Sequence, residues 1–522
     1  MSEPGPAPQE IQSEVFAFLA DPATHRLDAP VTRIDTHGAA VFLAGPDVYK
    51  VKRAICFPFM DFSTLEKRRR ACENEIEVNR ANAPELYLGT LPISKTGGRL
   101  KLGSGPHIIE WAVHLRRFDE NCTLDRLALR GALDPGIVPK LADAVIASHQ
   151  RARTVKDSNS TSALKALLDE TAEAFEAAPD VFEAQAAAVF RQRMSIEFDR
   201  ICPLLRQRET QGWTRRCHGD LHLGNIVLIN DAPVLFDAIE FNDAIATGDI
   251  LYDLAFLLMD LWTRGLRNHA NLLFNRYLSQ CPEADRQLEG LTVLPFFLAL
   301  RAAIRAKVLQ LGPANSSSLR DASRHYFEAA IAFLTPRRLD LVAVGGLSGS
   351  GKTSLARALA PALGRAPGAV HLRSDVERKR MFGRSELERL PSDAYTTNAT
   401  AETYRILRLK SALALKAGQS VILDAVHGKP AEREAARQIA ASAQAGFAGL
   451  WLEAPIGQLI DRVFRRTNDA SDATRVVVEA QAAADIGEME WRRLDASGSG
   501  EDLVERALTL IEAQEGLSHS GR

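Results

Sequence analysis

The segment GLSGSGKT, residues 346–353, constrains the fold of this chain more than any other feature. It satisfies the pattern G-x-x-x-x-G-K-[ST], it follows the apolar run 339–345, and a helical pattern with one apolar face comes directly after it. The alternative is an ordinary glycine-rich turn, but such a turn would not require a strand before it and a helix after it. The sequence therefore predicts a strand, a phosphate-binding loop and a helix.

Each residue type of this loop has a physical task. Gly346, Gly349 and Gly351 let the backbone curl so that its N–H groups face a polyphosphate, and the helix N-terminus adds partial positive charge. Lys352 is expected to reach the β- and γ-phosphates of ATP, and Thr353 to bind Mg²⁺.

The chain of 522 residues is too long for a single hydrophobic core. A helical pattern ends at Thr335, and after Pro336 apolar strands alternate with amphipathic helices. Such alternation predicts a parallel sheet with helices on both faces. We expect two domains, 1–335 and 336–522, with further C-terminal strands near Val370, Val421 and Leu450.

Residues at the carboxyl ends of these strands are candidates for catalysis, because open parallel sheets bind ligands there. Asp375 closes one predicted strand, and Arg378 shares its face if a helix follows, so an acceptor hydroxyl would meet a base and a cation together. Asp424 ends the apolar strand 421–423 and is expected to bind Mg²⁺. The alternative for either aspartate is a helix N-cap.

A polar segment near residue 470 predicts a lid. Arg462, Arg465 and Arg466 end a predicted helix, and the polar loop 468–472 follows. Arginines on such a loop can close over ATP and neutralise the transferred phosphate. A solvated helix end, in which cations favour the helix dipole, is the alternative.

The C-terminal half, from residue 339 to about 513, resembles small P-loop kinases related to gluconate kinase, chloramphenicol phosphotransferase and polynucleotide kinase. The resemblance implies that Asp375 activates the acceptor, that Arg378 is its acceptor-side partner, and that the region 462–466, with Arg462 and Arg466, is the lid.

The N-terminal half shows a different pattern. Strands are expected within 39–53 and 88–118, a charged helix at 65–83, and mainly helices within 137–215 and 249–333. A small antiparallel sheet, a helix, more strands and then helices are therefore predicted.

The segment HGDLHLGN, residues 218–225, predicts a second phosphotransfer site. Two strands follow around the turn 230–232, and a hairpin centred on residue 231 would place Asn225 opposite Asp237. Asp220, Asn225 and Asp237 would then converge. Protein-kinase-type phosphotransfer uses one Asp for the acceptor hydroxyl, and an Asn and a second Asp for Mg²⁺.

Such a site also needs a lysine on the small sheet and a glutamate on the next helix. Lys50 and Lys52 lie on one face of a predicted strand. We favour Lys50 because apolar residues flank it, which leaves Lys52 as a solvated neighbour. Glu75 is the favoured partner, and Glu73 is the alternative.

The N-terminal 335 residues resemble the aminoglycoside phosphotransferase family, and the later segment 248–255 strengthens the likeness because Asp253 resembles a structural anchor of the catalytic loop. Two departures are present: only His37-Gly38 stands where a G-x-G-x-x-G loop would precede Lys50, and residues 237–240 replace D-F-G. The whole chain is similar to bacterial fusions of such a domain with a P-loop kinase-like domain. The implied fold class is α/β and α+β multidomain, with a protein-kinase-like bilobal fold followed by a P-loop NTPase sheet between helices.

Charge and cysteine content limit the partners. Lys and Arg number 64 and Asp and Glu 66, a net charge of −2, so the total charge predicts neither a nucleic-acid coating nor an anionic-membrane protein. No apolar run reaches the roughly 20 residues that a membrane helix needs. Six dispersed cysteines without a C-x-x-C pair fit a reducing cytoplasm.

The sequence thus predicts an enzyme that uses ATP and Mg²⁺ to phosphorylate a hydroxyl of a small molecule, and a polynucleotide 5′-hydroxyl stays open as an acceptor. His149 and His222 are expected to be hydrogen-bonded structural histidines, and Cys217 to be no nucleophile. Two alternatives remain: a P-loop half that acts as an ATP-driven switch, and a catalytically silent nucleotide-binding scaffold.

Overall fold

The computed structural model describes residues 8–57, 60–156, 158–311, 316–466 and 469–519. Asn468 of the predicted lid loop lies outside these residues. The chain forms two compact units; the first comprises Met1–Leu167 and Leu205–Asp260, and the second Leu168–Leu204 and Leu261–Arg522. These units follow packing and not sequence order, so the boundary near residue 335 stays a prediction.

The first unit contains a six-stranded antiparallel sheet within the described residues. In sheet order its strands are Thr32–Asp35, Ala39–Ala44, Asp47–Lys52, Ile108–Arg116, Tyr87–Thr96 and Arg99–Leu102. The strands predicted within 39–53 and 88–118 are confirmed. The edge strand Thr32–Asp35 was not predicted, because its four residues are all exposed and carry no apolar alternation.

The charged helix Leu65–Arg80 packs against this sheet. Thr64 begins it, since its side-chain oxygen accepts a hydrogen bond from the backbone N–H of Lys67. One face is buried and includes Arg68 and Glu75. The charged helix therefore carries Glu75 on the face that is buried against the sheet.

The remaining elements of the N-terminal half are short strand pairs and helices. The strand pairs are Cys56–Phe57 with Met60–Asp61, Thr214–Arg216 with Thr247–Asp249, and Ile226–Ile229 with Ala232–Leu235. The helices are Pro8–Ala20, Pro22–His25, Leu124–Leu129, Val138–Arg151, Ser160–Glu176, Ala184–Thr210, Asp243–Ala246, Ile250–Thr263, Arg267–Gln280, Ala284–Gly290, Leu294–Gln310 and Ser317–Phe333. The two predicted helical regions are thereby confirmed.

The second unit contains a five-stranded sheet in which every pair is parallel. In sheet order its strands are Val370–Arg373, Val421–Asp424, Asp340–Gly346, Gly446–Glu453 and Arg492–Asp495. The C-terminal helices are Lys352–Leu359, Ser374–Met381, Thr397–Lys416, Pro430–Ser442, Ile456–Arg465, Arg475–Ala483 and Gly500–His519. The predicted parallel sheet is confirmed, and the strand of the phosphate loop lies at its centre.

Among the described helices, none combines the length and the apolar character that crossing a bilayer requires.

Candidate active sites

Lys50 is the centre of a charge cluster in the first unit. Its Nζ lies 2.9 Å from Oε1 of Glu75 and 2.6 Å from Oδ1 of Asp237. The ion pair expected between the strand lysine and the helix glutamate is therefore present, and it also includes the aspartate that follows the hairpin.

The neighbouring lysine differs from the prediction. Lys52 is not solvated: its side chain is 2% exposed, its Nζ lies 2.5 Å from Oε2 of Glu75, and it also binds Glu240. A residue two positions from Lys50 points to the same side of the sheet, and on this side the sheet is covered. Glu73, the alternative partner, is exposed and pairs with Arg69 instead, at 2.9 Å.

These contacts fix the charge states in the cluster. Desolvation favours neutral forms, but the carboxylates of Asp237 and Glu75 outweigh it and raise the pKa of Lys50 well above its usual value. Desolvation likewise opposes ionisation of Asp237 and Glu75, yet nearby Lys50 lowers the pKa of both carboxyls. At neutral pH the ammonium of Lys50 therefore lies between the two carboxylates of Glu75 and Asp237.

Side chains of the segment 218–225 form hydrogen bonds within the segment itself. Nδ2 of Asn225 donates hydrogen bonds to the backbone oxygen and to Oδ2 of Asp220, both at 2.9 Å. Asp237 directly follows Phe236, whose backbone N–H donates to the backbone oxygen of Asn225 at 3.0 Å. Asp220, Asn225 and Asp237 are thus brought to one place.

The hairpin register predicted for this loop is wrong by one residue. The strands pair Ile226 with Leu235, and the backbone N–H of Phe236 donates to the Asn225 oxygen, so Asn225 lies opposite Phe236 and not Asp237. The turn has two residues, Asn230 and Asp231, both with positive φ, where three had been assumed.

Asp237 leaves the hairpin in a left-handed backbone conformation, with φ of 60°. Its backbone N–H donates to the hydroxyl of Tyr87 at 3.0 Å. The backbone changes direction at Asp237, and its side chain contacts Lys50. The approach of Asp237 to Lys50 therefore does not depend on the predicted hairpin register.

Hydrogen bonds to the buried Asp253 and the half-buried His222 hold the backbone of this loop. Oδ1 of Asp253 accepts a hydrogen bond from the backbone N–H of Gly219 at 2.8 Å, and its Oδ2 lies 3.1 Å from Nε2 of His149. Nδ1 of His222 accepts from the N–H of Gly224 at 3.0 Å. These contacts agree with structural roles for His149 and Asp253. Nε2 of His222 also lies 3.4 Å from Oδ2 of Asp220, so a purely structural role for His222 stays a prediction.

An apolar cleft of about 300 Å³ adjoins the charge cluster. Lys50, Glu75 and Asp237 form its polar part, and residues 115–118 form part of its border. Its apolar lining includes Val41, Leu43, Val48, Leu86, Leu115 and Phe236. The cleft has the size and character of a small ligand pocket with a charged end. Its lining was not predicted, because it comes from several separate segments of the chain.

The phosphate loop of the second unit is held in the expected geometry. Gly346, Gly349 and Gly351 all have positive φ, which glycine adopts without strain. A Cβ at Gly349 would lie 2.4 Å from the backbone oxygen of Leu459. Nζ of Lys352 donates to the backbone oxygen of Leu347 at 2.9 Å, so the lysine curls over its own loop.

The side-chain oxygens of Thr353 and Asp424 lie next to each other. The Thr353 hydroxyl donates to Oδ2 of Asp424 at 2.7 Å, and Nε2 of His371 lies 3.2 Å from the same oxygen. Desolvation opposes ionisation, but the contact with His371 outweighs it and the pKa of Asp424 is lowered. Hydroxyl and carboxylate oxygens are the donors that Mg²⁺ prefers, so these residues fit the predicted ion. Asp424 ends its strand, and the next helix begins at Pro430, so the N-cap alternative for Asp424 is wrong.

Asp375 lies in the first turn of the helix Ser374–Met381, whose N-cap is Arg373, so the N-cap alternative for Asp375 is also wrong. Burial, together with the charge of Asp424, raises the pKa of Asp375. Arg378 is buried and donates to the backbone oxygen of Ala394 at 2.7 Å. Arg378 is therefore held in a fixed position, and its role toward an acceptor stays a prediction.

The predicted lid arginines separate in the structure. Arg466 lies 3.7 Å from Asp469, and its charge contributes, after desolvation, to the lowered pKa of Lys352. Arg462 donates to the backbone oxygen of Ala496 at 2.8 Å, beside the last strand. The lid roles of Arg462 and Arg466 both stay predictions.

Two family models match the chain. Residues 71–291 match the phosphotransferase enzyme family, and residues 341–484 match an AAA domain. The chain thus combines a phosphotransferase domain of the aminoglycoside phosphotransferase kind with a P-loop kinase-like domain, and the predicted fold class is confirmed.

Curated relatives align with this chain over nearly its whole length. Uncharacterized proteins of Mycobacterium tuberculosis and Mycobacterium bovis are each 29% identical over 483 residues, which cover 91% of this chain and 94% of the relative.

Solved structures match either half. A gluconokinase from Sinorhizobium meliloti is 21% identical and covers 36% of this chain and 100% of its own, with a TM-score of 0.27. An aminoglycoside phosphotransferase from Alicyclobacillus acidocaldarius is 14% identical and covers 58% of this chain and 90% of its own, with a TM-score of 0.35.

Proposed function

We propose that this protein is an ATP-dependent phosphotransferase with two sites, each of which moves the γ-phosphoryl group of ATP to a hydroxyl of a small molecule. The observation that carries the proposal is the cluster in the first unit, where Lys50 binds Glu75 and Asp237 beside the hydrogen-bonded pair Asp220 and Asn225. A positioned cation, a positioned base and two oxygen ligands are what transfer to an alcohol requires.

In the first site the apolar cleft would take the nucleotide base, and Lys50, steadied by Glu75, would bind the phosphates. Asn225 and Asp237 would hold Mg²⁺, which when bound neutralises phosphate charge. Asp220 would orient the acceptor hydroxyl and accept its proton. The acceptor oxygen then forms a bond to the γ-phosphorus, the bond to the β–γ bridging oxygen breaks, and ADP leaves.

In the second site the loop glycines and Lys352 would bind the triphosphate, while Thr353 and Asp424 would hold Mg²⁺. Asp375 would accept the proton of a second acceptor hydroxyl, and Arg466 would neutralise charge from the lid. The raised pKa of Asp375 supports this role, because a base works best when its pKa approaches the working pH.

An ATP-driven switch without an acceptor is the second candidate for the P-loop site. It is favoured by the engagement of Arg378 with Ala394, which leaves fewer of its donors for an acceptor. A switch would use the loop, Thr353 and Asp424, but would not depend on the base at Asp375.

The acceptors belong to the class of hydroxylated small molecules, and a polynucleotide 5′-hydroxyl is tested as an outcome. The cytoplasm is the proposed location, since ATP and Mg²⁺ are supplied there and the six cysteines are free thiols.

The test uses the full-length chain and γ-labelled ATP with a fractionated metabolite extract and, separately, with a 5′-hydroxyl oligonucleotide. The proposal predicts labelled metabolite products, one set lost in Asp220→Asn and another lost in Asp375→Asn. A switch predicts that Asp375→Asn changes no product. Absence of any labelled product in the wild-type chain would refute the transferase assignment.

A further inference from the structure

The helix Arg267–Gln280 packs against the edge strand Val370–Arg373 inside the second unit. Nδ2 of Asn271 donates to the backbone oxygens of Pro367 and Ala369, at 3.0 and 3.1 Å. This helix belongs to the region that matches the phosphotransferase family, and not to residues 341–484 of the P-loop match. A helix from outside the P-loop match therefore contacts the edge of the P-loop sheet through polar side chains such as Asn271.

One route from this helix leads to Asp424 through a histidine. Oδ1 of Asn275 accepts a hydrogen bond from the backbone N–H of His371 at 2.7 Å. The ring of the same histidine lies 3.2 Å from Oδ2 of Asp424, the oxygen that also accepts from Thr353. Asn275 thus holds the residue that orients the carboxylate.

A second route leads to the same carboxylate through three charges. Arg276 lies 2.6 Å from Oε2 of Glu386, and Arg373 lies 2.5 Å from Oε1. Nε of Arg373 lies 3.9 Å from Oδ2 of Asp424, and its Nη2 lies 3.3 Å from Oδ1 of Asp469 in the predicted lid region. Arg276 therefore holds Glu386 in place, and Glu386 in turn holds Arg373.

Consecutive residues of one helix thus reach one metal-binding carboxylate by independent paths. We propose that Asn275 and Arg276 are positioning residues of the P-loop site, which set the orientation of Asp424 toward Mg²⁺. This inference rests on the proposed role of Asp424 and Thr353. It means that the nucleotide site of the P-loop domain is completed from outside that domain's own sequence.

The test measures the gain in nucleotide affinity that Mg²⁺ produces, with a fluorescent ATP analogue and the full-length chain carrying Lys50→Met to weaken the first site. Arg276→Ala is expected to reduce this gain by about 10-fold or more, the usual effect of removing a group that orients a metal ligand. Asn275→Ala is expected to act in the same direction. Affinity without Mg²⁺ should stay within about twofold, because the loop glycines and Lys352 are untouched.

Arg286→Ala is the matched control, since Arg286 lies on the next helix, is 56% exposed at its side chain and pairs only locally with Glu283. Arg276→Lys keeps the charge and should restore part of the Mg²⁺ gain. Thermal melting identifies a variant that has lost its fold, and Arg276→Lys then decides the question. Equal Mg²⁺ gains in the parent, Arg276→Ala and Asn275→Ala would overturn the proposal.

The result also separates this inference from the proposed function. A parent that binds nucleotide with Mg²⁺ and responds at Arg276, but transfers no phosphate, would support the positioning role and refute phosphate transfer at the P-loop site. A parent without any Mg²⁺-dependent binding would refute the positioning role together with the proposed P-loop site, and the first site would then be judged by the transfer assay on the wild-type chain.

Discussion

Nζ of Lys50 lies 2.9 Å from Oε1 of Glu75, and this ion pair joins a strand of the antiparallel sheet to the charged helix. The other oxygen of the same carboxylate binds Lys52, which is buried and also binds Glu240. Lys50 instead reaches Asp237 at the open end of the cleft. Two lysines on one strand face therefore have different tasks.

Substitution of the two lysines should separate function from stability. Lys50→Met should lower turnover at the first site by ~10²-fold, as for loss of one positioned charge, with a small change in unfolding free energy because Glu75 keeps Lys52. Lys52→Met leaves Glu75 and Glu240 buried with less compensation, so it should lower the unfolding free energy by about 3–5 kcal/mol. Urea unfolding and phosphate-transfer assays on both variants measure this.

Lys67→Met is the control for the lysine substitutions, since Lys67 pairs with Asp61 at the surface. Equal stability losses in Lys50→Met and Lys52→Met would contradict the division of tasks.

Asp220→Asn should lower transfer at the first site by ~10²- to 10⁴-fold, because it removes the proposed base. The melting temperature should change little, since the amide oxygen can still accept the hydrogen bond from Asn225. The control is Asp231→Asn on the exposed hairpin turn, where asparagine tolerates the positive φ. Wild-type turnover in Asp220→Asn would remove Asp220 from the mechanism.

Much of the first site could be predicted because its chemistry is coded in short segments. An apolar-Lys-apolar strand, a charged helix and an Asp–Asn spacing of five identify Lys50, Glu75, Asp220 and Asn225 without knowledge of long-range contacts. Glu240 could not be found in this way, since its contact with Lys52 spans 188 residues. The register failed because the positive φ of both turn residues, which shortens the turn, is not specified by Asn-Asp alone.

Asp375→Asn should raise the stability of the fold and abolish transfer at the second site, while transfer at the first site continues. Burial and the charge of Asp424 raise the pKa of Asp375, while Arg373 and Lys352 only partly offset them. The pKa of Asp375 is higher in the folded state than in the unfolded state. The wild-type protein therefore gains stability as the pH falls from the folded-state pKa to the unfolded-state pKa, and the amide variant lacks that gain.

Thermal melts of Asp375→Asn and wild type at stepped pH values test the sign. The variant should melt higher at neutral pH, and the difference should shrink toward about pH 4, where ordinary aspartates protonate. A variant less stable than wild type at neutral pH would show that the carboxylate is favourably held instead.

Two loop glycines form a matched pair for a steric test. Gly349 and Gly351 have φ of 87° and 92°, so alanine carries a similar backbone cost at each. A Cβ at Gly349 would overlap the Leu459 oxygen, whereas at Gly351 nothing lies within 4 Å. Gly349→Ala should be about 1–3 kcal/mol more destabilising and should bind ATP more weakly. Equal effects, read by melting and nucleotide titration, would contradict the close approach.

The second site was predictable at its loop and strand ends, because glycine spacing and strand-terminal aspartates are local signals. The support from Asn275 and Arg276 was not, since helical periodicity identifies a buried face but not the sheet edge that this face meets. Arg462 shows the same limit: its position at a helix end gave no sign that it would meet Ala496.

The central claim is that one chain contains two separate nucleotide sites. Equilibrium dialysis of the full-length protein with Mg²⁺ and a non-hydrolysable ATP analogue counts them directly. The account predicts two bound nucleotides per chain, one after Lys50→Met, one after Lys352→Ala, and none after both. A wild-type stoichiometry of one, or a count that neither substitution changes, would contradict it.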